Sequence, residues 1–375
     1  MSNQTDGPIP SGKSVQATHH STRRRFMIAC GAGAMALGMA GLKMRSVFAA
    51  KPSSSSSDGP LEGLPFTRRT SRALGSDISM LVLHGDPTAG EKALDEAFAE
   101  ISWVEQVMSL YLPQSQVSQL NARGVLKNPD PYLVRILRES RALSEQSTGA
   151  FDITVQSLWT LYANAQGNGS LPTPGAIEAA RRQVDWRGIS VSPDEIRFHH
   201  KSMTITLNGI AQGFAADRAM EALKRHGIRH ALVNAGEISA HGRKAAGGPW
   251  TVGIQHPRQK DSYLGLAGLD DRCLSTSGDY ETAFSPDFTH NHIFDPATGR
   301  SPEVFSSVTV VAPDATTADA LSTAIFVLGP ERGLALTGKT PGTDVLMVMK
   351  DQRTLATPSF PWCPESFRKT ETGQS

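Results

Sequence analysis

Apolar side chains recur at Leu94, Ala97, Phe98, Ile101, Val104 and Val107, the spacing of one helix face. That pattern predicts a long amphipathic helix over Ala89–Met108. Leu133, Val134, Ile136, Leu137, Ala142 and Leu143 repeat it over Pro131–Thr148, and Gly149 ends that helix. A third helix is expected after Pro174, a fourth over Gly213–His226 closed by Gly227, and a fifth from about Thr317. Short β-branched or alternating runs predict strands at Ile78–Leu83, Ile189–Phe198, Met203–Leu207, His230–Asn234, Trp250–Gln255, Leu264–Leu269, Val308–Val311 and Val345–Lys350. Val117–Asn121 and Ser275–Tyr280, rich in small polar residues, read as turns. No fixed-period repeat and no second linker interrupt the pattern. One α+β domain over residues 66–363 is the economical reading.

The ends read differently. Thr22-Arg23-Arg24-Arg25-Phe26-Met27 resembles a twin-arginine signal, followed by a mild apolar run from Ile28 to Leu42 and by Val47-Phe48-Ala49, which suits a signal peptidase. The run is shorter than the roughly twenty residues a membrane span needs. Residues 1–49 are therefore expected to be an export signal directing the chain to the periplasm, with a retained anchor as the alternative. Residues 50–65 are Ser-, Pro- and Gly-rich with no apolar period, the composition of a disordered linker. Residues 364–375 form a polar tail.

The 375 residues carry 37 basic and 36 acidic side chains, so no general field attracts a polyanion, and nucleic acid is not an expected partner. Of three cysteines, Cys30 belongs to the signal. Cys273 and Cys363 can pair in an oxidising compartment, but a buried thiol at Cys273 is the preferred reading.

Several short constellations carry candidate chemistry. Asp319 and Thr323 stand one helical turn apart, so a carboxylate and a hydroxyl face the same side. They can share a hard cation, or Asp319 can complement a helix N-terminus. Leu207–Gly213 is a strand-to-helix turn with two glycines, open to a phosphate or simply an ordinary turn. Tyr111 offers a flat ring with a polar tip, or fills a core. Asp152, after Gly149-Ala150-Phe151, can accept from a ligand or cap the next helix. Asn234–Glu237 ends a buried strand. His292, three residues before Asp295, has the makings of a base near neutral pH.

Taken in order, these motifs resemble the ApbE family, the FAD:protein FMN transferases. Leu74-Gly75-Ser76, Met108-Ser109-Leu110-Tyr111, Gly149-Ala150-Phe151-Asp152, Leu207–Gly213, Ser277-Gly278-Asp279-Tyr280, His292 with Asp295–Gly299, and Ala318–Thr323 all fall where the family has its own. The resemblance implies a single α+β, T-fold-like domain with mixed or antiparallel sheets and flanking helices. It implies FAD as substrate and magnesium held by Asp319, Thr323 and the Gly209 carbonyl. Leu74, Tyr111, Ala150, Phe151, Asp152, Thr206, Gln212, Ser277, Gly278 and Asp279 would contact FAD, and His292 would take the acceptor's proton. Two positions depart from the family pattern: Thr206 replaces a usual Asp, and Gln212 a usual Lys or Glu. The implied reaction attaches FMN to a Thr or Ser of an exported or membrane-anchored acceptor flavoprotein of a respiratory or electron-transfer system, releasing AMP. The twin-arginine signal and the Leu207–Gly213 variant look like the branch serving nitrous-oxide respiration. The two departures keep a non-catalytic FAD carrier, or a magnesium-dependent FAD pyrophosphatase, open as alternatives.

The export reading makes a direct prediction. Changing Arg23 and Arg24 together to Lys should leave the protein in the cytoplasm on fractionation. Undiminished periplasmic protein would show that another address is being read.

Overall fold

A computed structural model describes residues 64–259 and 261–364. The expected signal, nearly all of the linker and all but the first residue of the tail lie outside them. Chain order begins with strands β1 (Phe66–Ala73) and β2 (Ser76–Leu83), then helices α1 (Pro87–Met108) and α2 (Gln116–Arg123) and strand β3 (Val125–Lys127). Helices α3 (Pro131–Gln146), α4 (Gln156–Gly167) and α5 (Pro174–Arg181) follow, then strands β4 (Ile189–Val191) and β5 (Glu195–Phe198) and helix α6 (Ala211–Arg225). Five strands come next: β6 (His230–Asn234), β7 (Ile238–His241), β8 (Trp250–Gln255), β9 (Tyr263–Leu269) and β10 (Cys273–Gly278). The last elements are β11 (Phe305–Ala312), α7 (Ala315–Leu328), α8 (Pro330–Gly338), β12 (Asp344–Met349) and β13 (Thr354–Ala356).

Eight strands form one antiparallel sheet in the order β1-β2-β6-β7-β10-β11-β12-β13. Alternation sends its side chains to two cores. From β2, Ile78, Met80 and Val82 join the main core with α1, α6 and α7, while Leu81 and Leu83 point the other way. The β12 strand does the same, with Val345 and Met347 on the helix side and Leu346 opposite. The opposite core is closed by the β8–β9 hairpin through Trp250, Val252, Ile254, Ala267 and Leu269. The sheet is thus a wall between helices and hairpin, and the fold is α+β with antiparallel sheets.

Four expectations need correction. Met203–Leu207 keeps the alternating burial of a strand but pairs with no neighbour strand. Its backbone bonds instead to the Asn121 side chain, which both donates to and accepts from Ile205, and to the Ile153 carbonyl. Val117–Asn121 is not a turn but the body of α2, begun by the Ser115 hydroxyl accepting from Ser118 N. Ser275–Gly278 is not a turn but part of β10, a central strand whose six residues are all buried. Its hydroxyls are satisfied across the sheet and into α7: Thr276 bonds Thr309 at 2.9 Å, and Ser277 bonds Ser322 at 2.7 Å and Thr323 at 3.1 Å. Ile189–Phe198, read as one run, folds back on itself as the β4–β5 hairpin.

Helices α6 and α7 cross unusually closely at Gly213. A Cβ there would lie 2.2 Å from the Ala315 carbonyl oxygen and 2.8 Å from Asp319 Cβ. Neither is the far end of a flexible side chain, so Gly213→Ala must move one helix. We expect a loss of about 1–3 kcal/mol, seen as a lower urea midpoint with an unchanged slope. A wild-type midpoint would show that the two helices part without cost.

Candidate active site

The turn between β1 and β2 places Leu74 and Gly75 at φ 51° and 73°. Two positive φ values in succession are what a tight two-residue hairpin turn needs, and a leucine adopts one only under constraint. The constraint is visible. Leu74 N donates to Glu105 Oε1 at 2.7 Å, and Gln212 Nε2 donates to Ser76 Oγ at 2.8 Å and to the Leu74 carbonyl at 3.4 Å. Gln212 therefore docks this turn onto the start of α6. The turn, with Met108–Tyr111, Asn208, Ala211, Gln212, Thr282 and His292, lines an outer cavity of about 250 Å³. Tyr111 is 70% exposed on its rim, which rules out the core reading of that ring.

A smaller, inner cavity of about 100 Å³ is lined by Ala150, Phe151, Asp152, Thr206, Asn208, Gly209, Ser277, His292, Asp319 and Thr323 among others. Asn208 and His292 belong to both linings, so the two cavities meet there. Asn208 was not singled out in the sequence, although its place beside Gly209 in the Leu207–Gly213 turn was a usable signal.

Asp319 lies in the second turn of α7, whose own N-cap is Asp314. The helix it complements is the other one: Gly213 N, in the first turn of α6, donates to Asp319 Oδ2 at 2.9 Å. The α6 N-cap, Ile210, has no capping side chain, so Asp319 supplies the acceptor from outside. The carboxylate is only 4% exposed. Thr323 faces it one turn on, and the Gly209 backbone comes so near that a Cβ would lie 3.1 Å from Thr323 Oγ1. One carboxylate, one hydroxyl and a close backbone turn make a hard-oxygen set that suits magnesium. Among the described residues no three His, Cys, Asp or Glu side chains gather as a metal site, so any cation here would draw on backbone, hydroxyl or ligand oxygens beside Asp319.

His292 hangs from a loop leg. Its backbone N donates to the Thr282 carbonyl at 3.0 Å, and its ring Nδ1 faces the same oxygen at 3.3 Å. A carbonyl can only accept, so in the neutral ring that contact calls for the proton on Nδ1, with Nε2 the basic nitrogen. The carboxylate of Asp295 serves its own turn, with Oδ1 accepting from Ala297 N.

Other candidates have structural employment. Asp152 caps the short turn Ile153–Val155 and also accepts from Thr154 Oγ1 and Trp186 N. Burial pushes its carboxyl from 3.8 up to about 6, against those bonds. Thr206 Oγ1 accepts from Asn208 N at 3.2 Å. Gly278 and Asp279 line neither cavity. A Cβ on Gly278 would lie 2.3 Å from the Tyr280 ring, and Asp279 is fully buried in a two-pronged ion pair with Arg258.

A larger cavity, about 550 Å³, runs along the later half of α6 past Asp217, Cys273 and Asp314. Its carboxylates are already occupied. Asp217 accepts from Ala315 N, Thr316 N and Thr316 Oγ1, and Asp314 from Thr317. Cys273 is a buried free thiol, pushed up to about 12 by burial.

The sequence pattern of the ApbE family matches residues 74–347. The chain belongs to the ApbE family. An FAD:protein FMN transferase of Treponema pallidum is 33% identical over 285 residues, 70% of this chain and 79% of the relative. One from Escherichia coli K12 is 29% identical over 277 residues, covering 70% and 77%. The apo crystal structure of the Pseudomonas stutzeri flavinyl transferase ApbE superposes with a TM-score of 0.68 at 30% identity, over 78% of this chain and 94% of that one. This ApbE chain is accordingly an enzyme of the transferase class.

Asp217 offers a test of the joint between α6 and α7. Burial pushes its carboxyl from 3.8 up to about 6, outweighing the Thr316 and Ala315 hydrogen bonds. A folded value above the unfolded one means that the fold holds this proton more tightly. The contribution is full below about pH 4 and is lost as pH rises through about 6. Asp217→Asn cannot titrate, so wild type should lose stability relative to the variant across that window in urea unfolding at stepped pH. Parallel curves would show that Asp217 keeps an ordinary carboxylate value.

Proposed function

We propose that this enzyme transfers FMN from FAD to a Thr or Ser hydroxyl of an acceptor protein, releasing AMP. The observation that carries the reading is the meeting of two cavities at His292. One is rimmed by an exposed aromatic ring; the other is lined by Asp319, Thr323 and Gly209. The names of the relatives point the same way.

In the proposed mechanism FAD lies across both cavities, with Leu74, Tyr111 and Gln212 on the outer side and Ala150, Phe151, Asp152 and Thr206 on the inner. Ser277 contributes its hydroxyl beside Thr323. Asp319, Thr323 and the Gly209 carbonyl would hold magnesium, which when bound neutralises pyrophosphate charge and polarises phosphorus. The acceptor oxygen attacks the FMN phosphorus. Its proton passes to His292 Nε2, the lone-pair nitrogen of the tautomer that Thr282 selects. The bond from that phosphorus to the bridging oxygen breaks, and AMP leaves with the electron pair. No covalent enzyme intermediate is needed. Gly278 and Asp279 enter this scheme as supports for the loop and not as direct contacts. We place the reaction in the periplasm, after twin-arginine export, with an acceptor in a respiratory or electron-transfer chain.

Incubation with FAD, magnesium and periplasmic extract tests the reading. Flavin fluorescence that stays on a protein band through denaturing electrophoresis means transfer. Free AMP without a labelled band would mean a pyrophosphatase, and bound, unaltered FAD a carrier.

Two substitutions test the residues. His292→Ala should keep FAD binding and lose about 10²–10⁴-fold in transfer; undiminished turnover would remove it as the base. Asp319→Asn keeps shape and one acceptor for Gly213 N but loses the charge. Transfer should fall sharply, with partial recovery at raised magnesium and an unchanged circular dichroism spectrum. An unfolded variant would mean that Asp319 serves the helix joint first.

A further inference from the structure

We propose that Arg258 is a positioning residue for this reaction, holding in place the loop that carries His292. The inference rests on the assignment of His292 made above. The chain leaves β10 at Asp279, and within the excursion that leads to β11 it doubles back so that His292 lies opposite Thr282. The two legs of this excursion are joined by Phe284 N donating to the His290 carbonyl at 2.7 Å and by His292 N donating to that of Thr282. Thr282 and His292 both line the outer cavity, so any shift of the loop moves the proposed base.

Arg258 stands on the turn between β8 and β9, outside both cavities. Its Nη1 and Nη2 each donate to one oxygen of Asp279 at 2.7 Å, the parallel fork that an arginine and a carboxylate form best. Asp279 is the foot of the loop. The same guanidinium lies 4.5 Å from the centre of the Phe288 ring, at the loop's tip. Phe288 sits at φ 61°, a conformation a phenylalanine keeps only when it is held. Lys350, just after β12, donates to the Phe288 carbonyl at 3.0 Å and lies 3.7 Å from Asp279. One planar cation therefore ties foot to tip, with a second cation beside it.

Arg258 is itself aimed. His256 Nδ1 accepts from both Arg258 N and Gln259 N at 3.1 Å, so the turn is shaped around an imidazole nitrogen that carries no proton. A fully buried carboxylate could have been replaced by an apolar residue if filling space were its only task. Here it joins the foot of the loop to a separate hairpin.

The test uses the full enzyme, with Arg258→Met, Arg258→Lys and the double variant Arg258→Met/Asp279→Asn. The double variant leaves no buried carboxylate without its arginine and keeps the test open if Arg258→Met fails to fold. We expect faster amide hydrogen exchange at Phe284 and His292 in the double variant, with Val308 and Val310 in β11 still protected. We also expect kcat for FMN transfer to fall by about 10²-fold while KM for FAD changes by less than about twofold. Arg258→Lys, which keeps charge without the fork, should fall between. Unchanged exchange at Phe284 and His292 overturns the proposal whatever the activity. Faster exchange with full transfer overturns it too, provided His292→Ala is inactive. If His292→Ala is also fully active, the base assignment fails instead, and the exchange result alone decides whether Arg258 holds the loop.

Discussion

Helices α6 and α7 each lend a carboxylate to the other's first turn, and the site depends on that exchange. Asp217 of α6 takes the N–H groups of Ala315 and Thr316, and Asp319 of α7 takes that of Gly213. A helix start carries partial positive charge and unpaired donors, so a carboxylate from outside stabilises it twice over. The exchange works only at contact distance, which is why the crossing point has no side chain. It also sets the register between the Gly209 turn, which leads into α6, and the Asp319–Thr323 face of α7. The Asp319 carboxylate thus both orients a helix and faces the inner cavity.

The opposite wall is built by hydroxyls. Ser275, Thr276 and Ser277 are buried in a central strand, each bonded to a hydroxyl of β11 or α7. Buried donors and acceptors tolerate few alternative arrangements, since leaving one unmatched costs about 1–3 kcal/mol. Thr323 therefore meets the cavity from a helix fastened on two sides, to α6 through carboxylates and to β10 through hydroxyls. A preorganised wall of this kind needs little rearrangement as charge develops on a phosphate.

Much of this was legible in the sequence, where periodicity was strong. The faces of α1, α3 and α6 and the alternation of β2 are local properties, and they appeared within a few residues of their places. The β10 strand was not legible, because Ser-Thr-Ser-Gly is turn chemistry unless partners arrive from elsewhere. Those partners, Thr309, Ser322 and Thr323, lie more than thirty residues later. Met203–Leu207 failed in the opposite sense: its alternation is real, but an asparagine side chain takes the place of a neighbouring strand. For the site, residue types at Asp319, Thr323 and His292 pointed to chemistry. Which helix Asp319 caps, and that Asp279 answers to Arg258, are facts of tertiary geometry that no local pattern encodes.

The distance along the chain between the two helices has a consequence for how the protein reaches its final form. Asp319 and Gly213 are 106 positions apart, and Asp217 and Ala315 are 98 apart. Contacts that close long loops are entropically slow to form and tend to be made late in folding. Until α7 has been synthesised and docked, the start of α6 has no Asp319 acceptor for Gly213 N, and the inner cavity lacks its Asp319–Thr323 wall. The inner cavity is thus completed among the last events of folding, and a nascent chain that stops short of α7 has a sheet in the making but no Asp319 carboxylate to set against the Gly209 turn.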